Sequence, residues 1–199
     1  MVGIIDRDTL ELVTSAKMTS GNNWGTGVIL FNPKTGKILL AERTDTHNYA
    51  TPGGKVELGE SPMQGVMREC KEESNLVVDN LMFYGYHCHT SPNGKNWTDF
   101  LFISTKWHGN LKNQESEMNE WREYDIYEAD FMNLFPPCEF ALRVAMEQDL
   151  FEKLSAQEID ANGFFPDSAI ETAKTSPGIA LPDMDVCSYS YQEDIRSIL

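Results

Sequence analysis

Three glutamates lie close together in one short segment and could act jointly on a metal ion. If the segment is helical, Glu69, Glu72 and Glu73 fall within about 100° of one another around the helix axis. Carboxylates this close repel each other by a few tenths of a kcal/mol per pair. A hard divalent cation explains such a cluster, because Mg²⁺ and Mn²⁺ prefer oxygen ligands. A solvated acidic helix face is the competing interpretation.

The surrounding residues repeat a known spacing. In the run GKVELGESPMQGVMRECKEESNL, Gly54 is followed by Glu60, Arg68-Glu69 and Glu72-Glu73. This run resembles the Nudix hydrolase signature G-x5-E-x7-R-E-U-x-E-E-x-G-U, in which U is a bulky aliphatic residue. Cysteine replaces one aliphatic residue and asparagine replaces the last glycine. Buried cysteine behaves as a small hydrophobe and asparagine tolerates positive φ, so the resemblance still implies an active enzyme.

The resemblance implies a role for each matching acidic position. Glu69 and Glu73 look like the principal ligands of Mg²⁺, with Mn²⁺ as a substitute ion. Glu72 resembles an additional ligand or the base that activates water. The backbone carbonyl of Gly53 is similar to a group that completes the metal coordination in relatives. Glu60 resembles a residue that supports the ligands or binds a further metal.

Three further residues and one loop are candidates through the same resemblance to the MutT-like branch. Arg68 is grouped with the catalytic residues because it is expected to orient a glutamate rather than touch substrate. Arg43 and Lys55 match basic positions near phosphate, and each is equally well explained as a surface residue. The run ESEMNEW resembles an E-P-E-x-x-E-W loop whose glutamate contacts metal or acts as base. Glu115 is the first choice there and Glu117 the second, with a solvated acidic loop as the alternative.

A helix with clear ends must carry the glutamates. Ser61 is a good N-cap, proline follows at the first helical position, and Gln64 can complete a capping box. The helix is predicted to run to about Ser74 and to end at Asn75, which tolerates the left-handed conformation. The opposite, apolar face is expected to pack on a sheet and comprises Met63, Val66, Met67 and Cys70.

The other elements indicate an α/β domain. Two strands are predicted at 28–31 and 38–41 around a turn, a hairpin from 81–90 and 96–107, and a short strand at 121–124. A second amphipathic helix is predicted over about 139–154. The expected fold is the Nudix fold, a mixed β-sheet sandwiched between α-helices, plus an acidic C-terminal extension. The predicted divisions are an N-terminal lead-in at 1–20, the Nudix domain at 21–154 and the extension at 155–199.

Composition excludes several classes of protein. The 199 residues carry 31 acidic and 16 basic side chains, for a formal charge of −15. Such a charge argues against long nucleic acid as a partner and against a polybasic membrane anchor. The chain shows neither a signal peptide nor an apolar run of about 18 residues, so we expect a cytoplasmic protein. A homodimer is left open.

The histidines do not predict a zinc site. His87 and His89 flank Cys88, but alternation along a strand places both histidines on one face and the cysteine on the other. A site that joins all three is therefore not expected. Structural zinc sites also show tighter Cys and His spacing.

The first functional hypothesis is a Mg²⁺-dependent Nudix hydrolase that acts on a small nucleotide. The resemblance implies cleavage of a nucleoside diphosphate linked to another group, foremost a (deoxy)nucleoside triphosphate to monophosphate and pyrophosphate. An ADP-ribose or nucleotide-sugar diphosphatase is the alternative, because Pro92 has a spacing seen in some ADP-ribose-specific relatives. The run Ser-Pro-Asn-Gly is also ordinary for a hairpin turn, which is the competing explanation of Pro92. A non-catalytic nucleotide-binding module is the alternative from another class.

Overall fold

The computed structural model describes residues 23–91, 93–113, 116–129, 132–156 and the strand at 189–190. Its strands are β1 (Trp24–Asn32), β2 (Lys37–Glu42), β3 (Tyr49–Ala50), β4 (Gly53–Lys55), β5 (Val77–Val78), β6 (Met82–Thr90), β7 (Asn96–Ser104), β8 (Trp107–His108), β9 (Arg122–Asp125) and β10 (Tyr189–Ser190). Its helices are α1 (Pro62–Ser74), α2 (Ile126–Ala129), α3 (Pro136–Glu147) and α4 (Leu150–Ser155).

Eight strands form one mixed sheet. The order is β10-β6-β7-β1-β2-β3, with β4 also paired to β1 and β9 to β2. Strands β1 and β7 are parallel, whereas β6 pairs antiparallel with β7, and β2 with β1. The predicted α/β class with a mixed sheet is therefore confirmed, as is the strand pair around the turn at 32–36.

Helices cover both faces of this sheet. Along β1, Val28 and Leu30 belong to a buried cluster that includes Val66 and Cys70 of α1. The alternate residues Ile29 and Phe31 belong to a second cluster with buried residues of α2, α3 and α4. Since successive side chains in a strand point to opposite faces, α1 lies on one face and the later helices on the other. The predicted sandwich is thus present.

Helix α1 begins and ends as predicted. The Ser61 hydroxyl accepts from the backbone N–H of Gln64, and the Gln64 side chain accepts from the backbone N–H of Ser61, which completes the capping box. Asn75 ends the helix in the left-handed region with φ 61°. One part of the predicted apolar face is wrong: Val66 and Cys70 are buried, but the Met67 side chain is exposed. Met67 directly precedes Arg68 and lies at the edge of the face that contacts the sheet.

The hairpin of β6 and β7 ends earlier than predicted. Its second strand stops at Ser104 instead of continuing to Trp107. The side-chain oxygen of Asn80 accepts hydrogen bonds from the Ser104 hydroxyl at 2.9 Å and the Lys106 backbone N–H at 3.0 Å. These bonds turn the chain away from the main sheet. The next strand, β8, then pairs with β5 in a separate two-stranded sheet.

The predicted second helix at 139–154 is two helices. Helix α3 begins earlier, at Pro136, where two prolines occupy the first positions, which need no N–H donor. It ends at Glu147, and α4 begins at Leu150. Asp149 between them has φ 53°, a conformation that a continuous right-handed helix excludes. The break lets Leu150, Phe151 and Leu154 of α4 pack into the same cluster as α3.

The predicted lead-in at 1–20 lies outside the described residues, as does most of the extension at 155–199. Of the extension, the structure describes Ser155, Ala156 and β10, which pairs parallel with β6. No helix among the described residues is both long enough and apolar enough to cross a membrane.

We expect Ser61→Ala to lower the free energy of unfolding by about 1 kcal/mol, because alanine cannot accept from the Gln64 N–H at the helix N-terminus. Urea denaturation followed by circular dichroism measures this change. Ser61→Gly is the control and should cost only a few tenths of a kcal/mol. Equal stability of Ser61→Ala and wild type would show that the capping box does not stabilise α1.

Candidate active site

Arg68 joins three of the predicted glutamates. Its Nε and Nη2 atoms donate to the two carboxylate oxygens of Glu60 at 2.9 and 3.1 Å. Its Nη1 atom donates to Glu69 and to Glu72, each at 2.9 Å. The guanidinium group thereby holds three carboxylates around itself. One comes from the loop before α1 and two come from α1. The hydrogen bond to Glu60 is the largest of the effects that raise the pKa of Arg68.

The same guanidinium ties the helix to the sheet. Nη2 of Arg68 also donates to the backbone carbonyl of Lys55, at the end of β4, at 2.9 Å. Helix α1 and strand β4 are therefore fixed relative to each other at the level of the glutamates. This is the arrangement expected of a positioning residue rather than one that contacts substrate.

Glu73 is held separately, at the buried side of α1. Its Oε2 atom accepts a hydrogen bond from the backbone N–H of Gly53 at 2.9 Å, and the residue is only 5% exposed. The indole N–H of Trp121 donates to the Glu73 backbone carbonyl at 3.2 Å. The Gly53 N–H offsets part of the cost of burying the Glu73 carboxylate, since burying an uncompensated charge is costly. Glu73 therefore faces the Gly53–Gly54 segment.

Glu69 lies directly against Gly54. A Cβ atom built on Gly54 would lie 2.5 Å from the carboxyl carbon of Glu69 and 2.6 Å from its Oε1. Only glycine leaves room for the carboxylate at this point of β4. Gly53 is equally confined, because its Cβ would lie 2.4 Å from the Thr26 backbone oxygen. The two glycines thus let the strand and the helix approach closely.

Glu72 is the most exposed member of the group. Its side chain is 48% exposed, against 14% for Glu69, and it reaches the network through Arg68. The four signature glutamates therefore offer both confined and solvent-facing oxygens. Glu69 and Glu73 present oxygen atoms beside the Gly53–Gly54 segment, and Arg68 holds Glu60 and Glu72 next to them, which fits the ligand preference of Mg²⁺ or Mn²⁺.

The two basic candidates occupy different surroundings. Arg43 binds Asp45 through two hydrogen bonds of 2.9 and 2.8 Å, and its guanidinium lies 4.8 Å from the centre of the Phe135 ring. The hydrogen bond from Arg43 lowers the pKa of the Asp45 carboxyl to about 2. The hydrogen bond to Asp45 is the largest cause of the raised pKa of Arg43, and the charge of Glu73 is a smaller one. Lys55 is exposed beside the Arg68 network.

The acidic loop before β9 is described only in part. Glu115, the first choice for a loop glutamate, lies outside the described residues. The Glu117 backbone carbonyl accepts from the Thr44 N–H at 2.8 Å, and the Asn119 N–H donates to the Glu42 carbonyl at 2.7 Å. These bonds attach the loop to the end of β2, beside Arg43. The contact from Trp121 to Glu73 was not predicted from the sequence.

A second cluster of polar side chains lies on the opposite face of the sheet. His87 and His89 share one face of β6, as alternation predicts, and Asp99 joins them from β7. Asp99 was not predicted from the sequence as a member of this cluster. The predicted hairpin offered a signal, because its register pairs His87 with Asp99. Burial lowers the pKa of His87 to about 4, so its imidazole is neutral at pH 7.

Comparison with known protein families identifies the fold and its signature. A profile of the NUDIX domain matches residues 21–140. The 8-oxo-dGTP diphosphatase of Haemophilus influenzae is 31% identical over 107 residues, which cover 52% of this chain and 76% of the relative. The 8-oxo-dGTP diphosphatase of Escherichia coli is 30% identical over 113 residues, which cover 55% and 84%.

Solved structures show the same architecture. The crystal structure of a MutT NUDIX hydrolase from Burkholderia pseudomallei superposes with a TM-score of 0.56 at 21% identity. The match covers 62% of this chain and 98% of that chain. At this identity the likeness shows the fold.

We expect Gly54→Ala to reduce hydrolytic activity roughly tenfold or more, because the new methyl group must displace the Glu69 carboxylate and small displacements in an active site are costly. The free energy of unfolding should change by less than about 1 kcal/mol, since the clashing group is the end of a flexible side chain. Steady-state kinetics and urea denaturation measure the two effects.

Gly85→Ala is the matched control. A Cβ atom there would meet its nearest neighbours, Leu101 and Val144, at 3.9 Å, which is ordinary contact. Its activity should stay within about twofold of wild type. If Gly54→Ala were as active as this control, the close approach of Gly54 to Glu69 would have no part in the site.

Proposed function

This chain belongs to the NUDIX family, as a Nudix hydrolase related to the MutT-like diphosphatases, and we propose that it hydrolyses a (deoxy)nucleoside triphosphate. The products would be the nucleoside monophosphate and pyrophosphate. The family and its diphosphatase relatives support pyrophosphohydrolase activity on phosphoric anhydride bonds. The triphosphate substrate and the dependence on Mg²⁺ are the proposed parts.

One observation carries the proposal: the Arg68 network gathers the signature carboxylates beside the Gly53–Gly54 segment. In this proposal Glu69 and Glu73 hold Mg²⁺, or Mn²⁺ in its place. Glu60 and the backbone carbonyl of Gly53 complete or support the coordination. The bound cation would neutralise charge on the non-bridging phosphate oxygens.

The remaining roles follow from exposure and position. Glu72 is proposed as an additional ligand or as the general base, because its solvent-facing carboxylate has access to water. Glu115 is proposed for the same task from the neighbouring loop. Arg68 orients Glu60, Glu69 and Glu72 and keeps their mutual repulsion from spreading them apart.

Arg43 and Lys55 are proposed as contacts for the substrate phosphates. Lys55 is exposed at the end of β4, next to the carboxylates. Arg43 can exchange its pairing with Asp45 for a phosphate, which offers the same bidentate oxygen geometry. We propose residues 21–154 as the catalytic domain and assign no catalytic step to residues 155–199.

A small nucleotide also suits the charge distribution. Residues 1–106 sum to a net charge of −2, whereas residues 155–199 alone carry −6. Residues 107–130 carry a further −5, so most of the chain's acidity lies in one loop and in the C-terminal residues. A nucleotide that arrives with its own Mg²⁺ is not repelled as a long polyanion would be.

A nucleotide panel with product identification tests the substrate. The panel should contain the common nucleoside triphosphates, 8-oxo-dGTP (the substrate in the names of the two diphosphatase relatives), ADP-ribose and a nucleotide sugar. The proposal expects pyrophosphate and a monophosphate from at least one triphosphate, in the presence of Mg²⁺. Preferred cleavage of ADP-ribose to ribose phosphate would contradict it and favour the diphosphatase alternative, whose sequence signal at Pro92 lies outside the described residues.

We expect Glu72→Gln and Glu73→Gln each to lower kcat by about 10²-fold or more, because each removes a charge needed for metal binding or water activation. The assay is the same hydrolysis with the best substrate of the panel. Glu128→Gln, an exposed position on α2, is the control and should retain wild-type activity. If the wild type were as inactive as both variants on the whole panel, the protein would be a non-catalytic nucleotide-binding module.

A further inference from the structure

Three donors meet on the face of the sheet that α1 does not cover. His87 and His89 lie on β6 and Asp99 on β7, and one ligand atom from each lies within 4.8 Å of the others. Asp99 alternates along β7 with Phe100, which belongs to the cluster under α1. The histidine ring of His87 stacks on Phe140 of α3, on the other face. This cluster is therefore separate from the signature glutamates.

The cluster is held on several sides. The His87 ring lies between the ring of Phe140, at 3.9 Å between centroids, and the ring of His89, at 4.9 Å. Below it, the Asp99 carboxylate occupies the space above Gly25, where a Cβ atom would lie 2.0 Å from Oδ1. His89 and Asp99 are both less than a tenth exposed. The donors are thus fixed by packing in a largely dehydrated place.

One buried polar atom of the cluster, Nδ1 of His87, has no hydrogen-bond partner among the described residues. His89 Nε2 and Asp99 Oδ2 are 2.8 Å apart, so a nitrogen and a carboxylate oxygen already lie close together here. The Nδ1 atom of His87 is buried and makes no hydrogen bond with any residue that the structure describes. A buried nitrogen without a hydrogen-bond partner is unfavourable and points to a ligand at this position.

We propose that His87, His89 and Asp99 form a second metal site, which takes Zn²⁺ and leaves a coordination position open. Two imidazoles and one carboxylate suit zinc, whereas Mg²⁺ prefers oxygen ligands alone. Ligand atoms of a tetrahedral zinc site lie roughly 3.3 Å apart, so a small inward rotation of the side chains completes the coordination. Three protein ligands leave one position for water or an anion.

The strand pairing brings Asp99 close to β4, the strand that Arg68 fixes to α1. Gly25 of β1, which accommodates the Asp99 carboxylate, pairs with Asp99 on one side and with Lys55 of β4 on the other. A single strand therefore separates the proposed zinc ligand from the segment that Arg68 fixes. The zinc proposal does not depend on the proposed substrate or on Mg²⁺ binding by the glutamates.

Zinc binding by the full chain tests the proposal. The protein is freed of metal with a chelator and titrated with Zn²⁺ by calorimetry in a large excess of Mg²⁺, which occupies oxygen-only sites. We expect one Zn²⁺ per chain, and at least tenfold weaker binding by His87→Gln and by Asp99→Asn. His108→Gln is the matched control, because His108 forms an exposed His–Asp pair with Asp79 at 2.9 Å. Its affinity should match that of wild type.

A second measurement uses the wild-type protein alone and so does not depend on whether a variant folds. Long-range ¹H–¹⁵N spectra report the ring nitrogens of all four histidines. Stoichiometric Zn²⁺ should shift the signals of His87 and His89 and leave those of His47 and His108 unchanged. The proposal is wrong if wild type binds no Zn²⁺ in excess Mg²⁺, if His87→Gln and wild type bind equally, or if the shifted signals are those of His47 or His108.

Discussion

The candidate active site depends on one side chain, Arg68, and on the mutual repulsion that it offsets. Carboxylates crowded on one helix face would rotate apart in water, and each would lose the position that a shared metal ion requires. The guanidinium fixes Glu60, Glu69 and Glu72 through short hydrogen bonds and reaches the Lys55 carbonyl with its remaining donor. A lysine at this position could supply the charge but not the fork of five N–H groups.

The rest of the fold serves to bring the Gly53–Gly54 segment against this helix. The capping box sets where α1 begins, and its apolar face sets how it lies on the sheet. Glycine at both positions of β4 then allows a separation that any side chain would prevent. The same close contact between α1 and β4 brings the Glu73 carboxylate within hydrogen-bond distance of the Gly53 backbone N–H. The positions of the carboxylates therefore depend both on how α1 packs on the sheet and on the two glycines of β4.

Local sequence signals were sufficient to predict the helix that carries this site. Elsewhere the bounds of the elements depend on contacts between residues distant in the chain, which the sequence pattern does not indicate. Ser61, Gln64 and Asn75 act within a few residues of themselves, so the bounds of α1 followed from residue types. The early end of β7 depends on Asn80, which lies more than twenty residues away in the chain. The break at Asp149 follows from the packing of α4 beside α3 rather than from any glycine or proline. Asp99 was missed because its part in the histidine cluster arises from strand register.

We propose that the carboxylates gathered by Arg68 bind a divalent cation, and electron paramagnetic resonance of free Mn²⁺ measures this binding directly. Titration of the wild-type protein should show Mn²⁺ binding that Mg²⁺ displaces. Glu69→Gln, which removes one charge with little change of shape, should weaken that binding by about tenfold or more, whereas Glu128→Gln should bind as wild type does. Equal Mn²⁺ binding by wild type and Glu69→Gln, or no binding by either, would show that these carboxylates do not form the cation site.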